Sequence, residues 1–273
     1  MRREGMTDGT RDRYAGHVLQ LMTVHPDPRG CTRADLELYL DSLNVEAGSL
    51  RVKTAALRKF FGYLEDRELL PGTNPAARLS LPKRRRRPND WLRSDEDAKV
   101  LRACVTPQER IVVALLRHAG LRVSEACALE VKDVDLERDE IRVTASKTDS
   151  GLRTVPIAAE LHVELIAWLA AKPSGRFLLA TKHGTPMKPQ FAWRLVKRVA
   201  HRADVRTLPK PALSQVSCHT LRRTFGSDLL NRGVRIEVVS KLLGHADTRT
   251  TEQCYAELLD STVRDEFHRA LGA

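Results

Sequence analysis

The sequence predicts a mainly α protein with a small β-sheet, an α+β chain in two domains, and three observations carry that reading. Apolar residues recur at helical spacing over most of the chain, the period shortens to two only around residues 140–157, and the stretch 71–90 is rich in proline and arginine with no apolar face to bury. The expected layout is a helical domain over 1–82, a basic linker over 83–90 and a larger domain over 91–273.

In the first domain Thr32 is placed to cap a helix over 32–43 and Ser49 to cap a second over 49–69. The second turns Leu50, Leu57, Phe60, Phe61 and Leu64 toward a core and leaves Arg51, Lys53, Arg58 and Lys59 on the remaining, basic surface. The pattern ends at four prolines, two polar turn residues and the cations Lys83, Arg84, Arg85, Arg86 and Arg87. Such a run is either a solvated segment or a linker crossing a DNA backbone, where each neutralised phosphate releases counterions. In the second domain a helix over 107–119 stops at Gly120 and another begins near Ser124, with Glu125 in its first turn and Arg122 in the connection. Residues 140–145 and 153–157 alternate as strands around a polar Asp-Ser-Gly turn, a hairpin with Lys147 near its tip. Helices follow over 158–171, 188–203, 218–232 and 234–244, the last two ended by Gly233 and Gly244. A further helix over 247–261 precedes a short amphipathic tail.

Composition narrows the function classes. Lys and Arg number 46 against 35 Asp and Glu, a net charge of +11, which points to a polyanionic partner. With 42% hydrophobic residues the chain is too apolar for a disordered tail. It has neither an apolar run long enough for a membrane span nor an apolar leader, so a cytoplasmic protein without a membrane partner is expected. The five cysteines, Cys31, Cys104, Cys127, Cys218 and Cys254, are scattered and never in C-x-x-C spacing, which argues against a disulfide framework and a zinc site. Aromatic residues make up 5%, few for stacking on single-stranded RNA.

Four local features carry chemistry. In 219-HTLRR-223 a spacing of three puts His219 and Arg222 about 60° apart on one helix face, away from Leu221 and Phe225. A guanidinium there offers a fork matched to two phosphate oxygens, and an imidazole can exchange a proton beside it. In 120-GLRVSE-125, Arg122 sits next to a helix N-terminus, a region favourable to anions. Lys147 places a long ammonium on a hairpin, and in 242-LLGHADTRTTEQCYAEL-258 a tight turn holds His245 ahead of a helix bearing Tyr255. Each alone is also an ordinary surface or turn feature.

Taken in order, these features resemble the tyrosine recombinase (phage integrase) family over nearly the whole chain. Its signature of an arginine in a G-L-R-x-S-E turn, a hairpin lysine, an H-x-L-R-[RH] helix, an L-G-H turn and a C-terminal tyrosine is similar to Arg122, Lys147, His219, Arg222, His245 and Tyr255. Residues 49–64 and the Asn74-Pro75 that follows look like the family's N-terminal helical core-binding (SAM-like) domain, ahead of a C-terminal catalytic domain. One departure stands out: Tyr255 follows His245 by one residue more than the commonest family spacing, with Gln253-Cys254 where a single residue is usual. Either the preceding loop absorbs the extra residue, or the nucleophile is displaced until DNA or a partner subunit orders the segment.

The resemblance implies a site-specific recombinase that cuts and rejoins double-stranded DNA through a 3′-phosphotyrosyl intermediate, in integration, excision or resolution, including the movement of mobile elements. Tyr255 would attack, Arg122 and Arg222 would hold the non-bridging oxygens with a further hydrogen bond from His245, His219 would assist the tyrosine proton, and Lys147 would protonate the leaving 5′-oxygen. Glu125 would orient Arg122. No metal and no cofactor are implied, and strand exchange implies a homotetramer on synapsed DNA, with the tail over 261–273 docking on a neighbour. Two other readings remain open: a catalytically silent DNA-binding member of the same fold, and a type IB topoisomerase-like DNA-relaxing enzyme.

Overall fold

A computed structural model of the chain describes residues 6, 8–82, 91–144, 152–205, 216–252 and 254–255. It divides into two compact units, Met1–Arg87 and Pro88–Ala273.

The first unit packs α1 (Asp8–Met22) and α2 (Arg33–Ser42) on α3 (Ala47–Glu65). Leu21, Leu36, Leu57 and Phe61 are fully enclosed, each contributing about 1.5–3 kcal/mol of transfer free energy. Thr32 caps α2: its hydroxyl accepts from Asp35 N, and Asp35 accepts from Thr32 N at 2.8 Å. Ser49 does not cap α3. The helix begins two residues earlier, because Glu46 O already accepts from Leu50 N, and it ends at Glu65 rather than at residue 69. Asn74 then fixes the exit, donating to Glu65 Oε2 and accepting from Ala76 N. α1 carries only two buried residues, Val18 and Leu21, too few to mark it as amphipathic. Tyr63 is exposed beneath Arg67, and Tyr14 lies on α1.

The second unit comprises α4 (Ser94–Arg102), α5 (Pro107–His118), α6 (Val123–Ala128), β1 (Val134–Asp135), β2 (Glu140–Val143), β3 (Arg153–Pro156), α7 (Ala159–Ala171), α8 (Pro189–Arg202), α9 (Cys218–Asn231) and α10 (Ile236–Leu243). α5 is the central helix, apolar nearly all round, with α7, α8 and α9 packed against it. Its start is a capping box of Thr106 and Glu109, and the buried Glu109 carboxylate also receives Arg202 of α8. The three strands form an antiparallel sheet in the order β1-β2-β3, with Ile141 opposite Val155 and Val143 opposite Arg153. Two-residue β1 and the acidic-basic α4, with Val100 alone buried, have too little pattern to read from sequence. Ser124 does not cap α6: Arg122 holds the cap position, and the Glu125 carboxylate accepts its backbone N–H. Beyond α10, helix continues at 248–252 and 254–255. Among the described residues no helix is long and apolar enough to cross a membrane.

Candidate active site

Two glycines place the arginines. Gly120 ends α5 with φ +60°, and a Cβ there would lie 2.7 Å from Phe225 Cε1, so only glycine lets the chain turn against α9 and present Arg122. Gly244 ends α10 with φ +61°, and a Cβ there would lie 2.7 Å from Arg153 Nη1.

The centre is a buried carboxylate, Glu125, with three arginines around it. Arg122 donates from Nη1 to Glu125 Oε1 at 2.6 Å. Arg153 spans both carboxylate oxygens, Nη1 to Oε1 at 3.2 Å and Nη2 to Oε2 at 3.0 Å. Arg222 Nη1 lies 3.8 Å from Oε2. The same three side chains complete the C-terminus of α10. His245 N donates to Ser240 O and Gly244 N to Lys241 O, and the next three carbonyls each take an arginine: Leu242 from Arg153, Leu243 from Arg222 and Gly244 from Arg122. Arg222 also donates to Gly120 O at 2.6 Å.

Electrostatics follow from this packing. Burial, and then the neighbouring Arg122 charge, push Arg222 down to about 9, so it remains a cation at neutral pH but a strained one. Burial and the charges of Arg222, Arg122 and Arg153 push His245 down to about 4, so its ring is neutral. His245 Nδ1 meets the hydroxyl of the fully buried Thr251 at 2.7 Å. Burial alone would push the Glu125 carboxyl up, yet hydrogen bonds from Arg153 and Arg122 outweigh it and hold it below the usual range.

Of the residues singled out by sequence, Arg122, Glu125, Arg222 and His245 converge. Arg222, expected on a working face with His219, is instead buried, while His219 is exposed one turn earlier on α9. Tyr255 is enclosed rather than presented: its hydroxyl donates to Arg223 O at 3.1 Å, its ring lies 6.1 Å from that of Trp91, and burial raises its phenol above the usual value. Lys147 and the run Lys83, Arg84, Arg85, Arg86 and Arg87 lie outside the described residues. In the first unit Arg51 and Arg58 are exposed and Lys59 is half-buried. Lys53 departs from the expected basic surface, being buried with its ammonium on Gln20 Oε1 at 2.5 Å, because it points back at α1. Arg153 was not singled out at all; a strand-initial arginine beside a polar turn gives no sign of a carboxylate partner 28 residues away. Among the described residues no three His, Cys, Asp or Glu side chains gather as metal ligands.

A mainly helical domain with a small sheet holds three arginines around one carboxylate, a net positive cluster suited to an anion such as a phosphate, and comparison with known proteins says which class of protein carries it. The model of the phage integrase family matches residues 90–262. Tyrosine recombinase XerC of Mycobacterium sp. (strain KMS) is 31% identical over 293 residues, covering 97% of this chain and 94% of that protein. Tyrosine recombinase XerA of Saccharolobus solfataricus is 29% identical, covering 98% and 89%. In fold the chain is similar to the Tn1549 transposon integrase in complex with transposon right end DNA, with a TM-score of 0.77, 20% identity and coverage of 100% and 96%. It is similar also to a lambda integrase tetramer bound to a Holliday junction, with a TM-score of 0.77, 19% identity and coverage of 92% and 73%. The chain belongs to the phage integrase family and is a tyrosine recombinase, an enzyme of DNA strand exchange.

Proposed function

We propose that this recombinase cuts and rejoins duplex DNA at a specific site through a 3′-phosphotyrosyl link to Tyr255. The observation that carries the reading is the charge count: three guanidinia against one carboxylate leave 3 − 1 = +2 around one point, matched to a five-coordinate phosphorus with two anionic oxygens. Arg122, a third exposed, is the arginine that meets the phosphate from the surface, and Arg222 meets it from beneath. His245 Nδ1 pairs with the Thr251 hydroxyl, and in this reading the hydroxyl donates, so that neutral His245 carries its proton on Nε2 and offers it to a phosphate oxygen. The Tyr255 oxygen forms the new bond to phosphorus and passes its proton to His219, while the 5′-oxygen leaves with a proton from Lys147. Return of a 5′-hydroxyl from another strand reverses the step, so ester energy is conserved. Removing Arg122 or Arg222 is expected to slow cleavage on the order of 10²- to 10³-fold.

The units 1–82 and 91–273, joined by 83–90, act as a clamp on DNA, with Arg51, Arg58, Lys59 and Lys83 to Arg87 on phosphates and four protomers on two synapsed sites; the similarity to a tetrameric integrase fold supports that assembly. The buried hydroxyl of Tyr255 favours one second reading, a member that binds DNA without cutting it. A covalent-trapping assay decides between them. The protein is incubated with nicked duplexes from DNA flanking its coding region, in chelator, denatured in SDS and compared with Tyr255→Phe. A denaturation-resistant band that needs Tyr255 establishes the chemistry; tight binding with no band favours the silent reading.

A further inference from the structure

We propose that Arg153 is a positioning residue for strand exchange, acting through Glu125 to set the guanidinia of Arg122 and Arg222 and through the Leu242 carbonyl to hold the turn that carries His245. The proposal rests on the reading of the arginine cluster given above. Its starting point is an anomaly of pattern. β3 alternates, with Arg153 on the same face as the buried Val155, so the strand opens on a charged side chain pointing inward. An inward arginine is costly unless it is paired, and Arg153, 3% exposed, is paired with unusual completeness.

Its fork meets both oxygens of Glu125, while Nε donates to Leu242 O at 2.6 Å. A bidentate arginine fixes a carboxylate in rotation as well as in place. That matters because Glu125 is the common partner of the other two: Oε1 receives Arg122 Nη1, Oε2 receives the Arg122 backbone N–H, and Oε2 faces Arg222 Nη1. Without Arg153, the carboxylate would turn about its stem to follow Arg122, and its distance to Arg222 would no longer be set. The second anchor acts on the opposite wall. Leu242, Leu243 and Gly244 offer successive carbonyls to Arg153, Arg222 and Arg122, and His245 follows directly. Arg153 thus ties the strand, the carboxylate and the helix end into one frame, in a cluster where a displacement of an ångström costs orders of magnitude in rate.

The test uses the full chain, prebound to a nicked duplex, with single-turnover cleavage, DNA affinity and melting temperature measured together for Arg153→Lys, Arg153→Met and Arg153→Met/Glu125→Gln. Two substrates are compared, the ordinary phosphodiester and one whose scissile phosphate carries a methyl group in place of a non-bridging oxygen, which lowers the charge of the transition state by one. We expect Arg153→Met to cleave the phosphodiester on the order of 10²-fold more slowly with DNA affinity within about threefold, and Arg153→Lys, which keeps charge but not the fork, to recover only a small part. On the methyl-bearing substrate the loss should shrink by about tenfold, since less charge needs placing. The double variant, in which the buried group that has lost its bidentate partner is neutral, should fold and cleave no more slowly than Arg153→Met. Cleavage within about threefold of wild type in folded Arg153→Lys and Arg153→Met would overturn the proposal, as would a loss equal on both substrates or equal to the loss of folded protein. If the wild-type chain makes no Tyr255-dependent link, the failure lies with the reading of the cluster itself, and the proposal falls with it.

Discussion

Replacement of Gly226 by alanine tests the enclosed position of Tyr255, because two effects of opposite sign meet there. Gly226 lies inside α9, where alanine is favoured over glycine by about 1 kcal/mol. A Cβ at this position would fall 2.6 Å from Tyr255 Cζ and closer still to its hydroxyl, well inside ordinary contact, and overpacking of this kind costs about 1–3 kcal/mol. In the wild-type background Gly226→Ala should therefore be neutral or destabilising by up to about 2 kcal/mol, whereas in a Tyr255→Ala background the same change should stabilise by about 1 kcal/mol. The coupling is the difference, about 1–3 kcal/mol, or roughly 2–12 °C in melting temperature for a unit of this size. A second readout follows the ring. Nitration by tetranitromethane, read from peptide masses, should spare Tyr255 relative to the 37%-exposed Tyr63 in the wild-type chain and reach it faster in Gly226→Ala. If Gly226→Ala stabilises both backgrounds alike, the ring does not rest on Gly226 and the argument fails.

Two further outcomes are expected. His245, held neutral by burial and three arginines, has a folded value of about 4 against 6.5 for a free imidazole, so its contribution to stability is complete above about pH 6.5 and is lost as the pH falls toward 4. Thermal unfolding of His245→Gln should thus lose up to about 3 kcal/mol less across that window than wild type, and parallel curves would exclude the assignment. In the first unit, Arg58→Ala should lower the slope of log affinity against log salt by about one, while Lys53→Ala should leave the slope unchanged and lower the melting temperature, since its ammonium is spent on Gln20.

What the sequence made legible is what local rules decide. Gly120 and Gly244 stop α5 and α10 by the left-handed turn only glycine adopts freely, and those stops bring the residues just after them, Arg122 and His245, to the site. The strand pair around residues 140–157 declared itself by alternation. What stayed hidden depends on partners distant in sequence. Lys53 has the spacing of a surface cation and is buried because Gln20, 33 residues earlier, accepts from it. Arg222 has the spacing of a solvent-facing residue and is buried because carbonyls from two separate turns need its donors. Arg153 has no local signal, since its partners stand 28 and 89 residues away. Helix starts expected at Ser49 and Ser124 fall earlier because a backbone carbonyl upstream of each serine already accepts a helical bond, Glu46 O from Leu50 N and Arg122 O from Ala126 N, while Glu125 takes the Arg122 N–H.

The arginine cluster and the end of α10 answer each other's needs. Like charges held together in a partly dry site repel, and one carboxylate offsets only one of three. A helix end turned inward leaves carbonyls that water would otherwise satisfy. Bringing the two together gives each guanidinium a carbonyl at the negative end of a helix and gives each carbonyl a charged donor. The cluster is therefore assembled before any phosphate arrives, which is the condition for stabilising charge without reorganisation in the reaction itself. In the proposed function the nucleophile is the part held back. To act, Tyr255 must give up a neutral hydrogen bond to Arg223 O, about 1 kcal/mol, and the burial of its ring, about 1.5–3 kcal/mol, so that roughly one molecule in 10² to 10³ is open unaided. On the proposed function, Arg222 and Gly226, on which Tyr255 rests, lie one turn apart on α9, the arginines already in place and the tyrosine enclosed, so release of Tyr255 is the step left for DNA or a neighbouring protomer to supply.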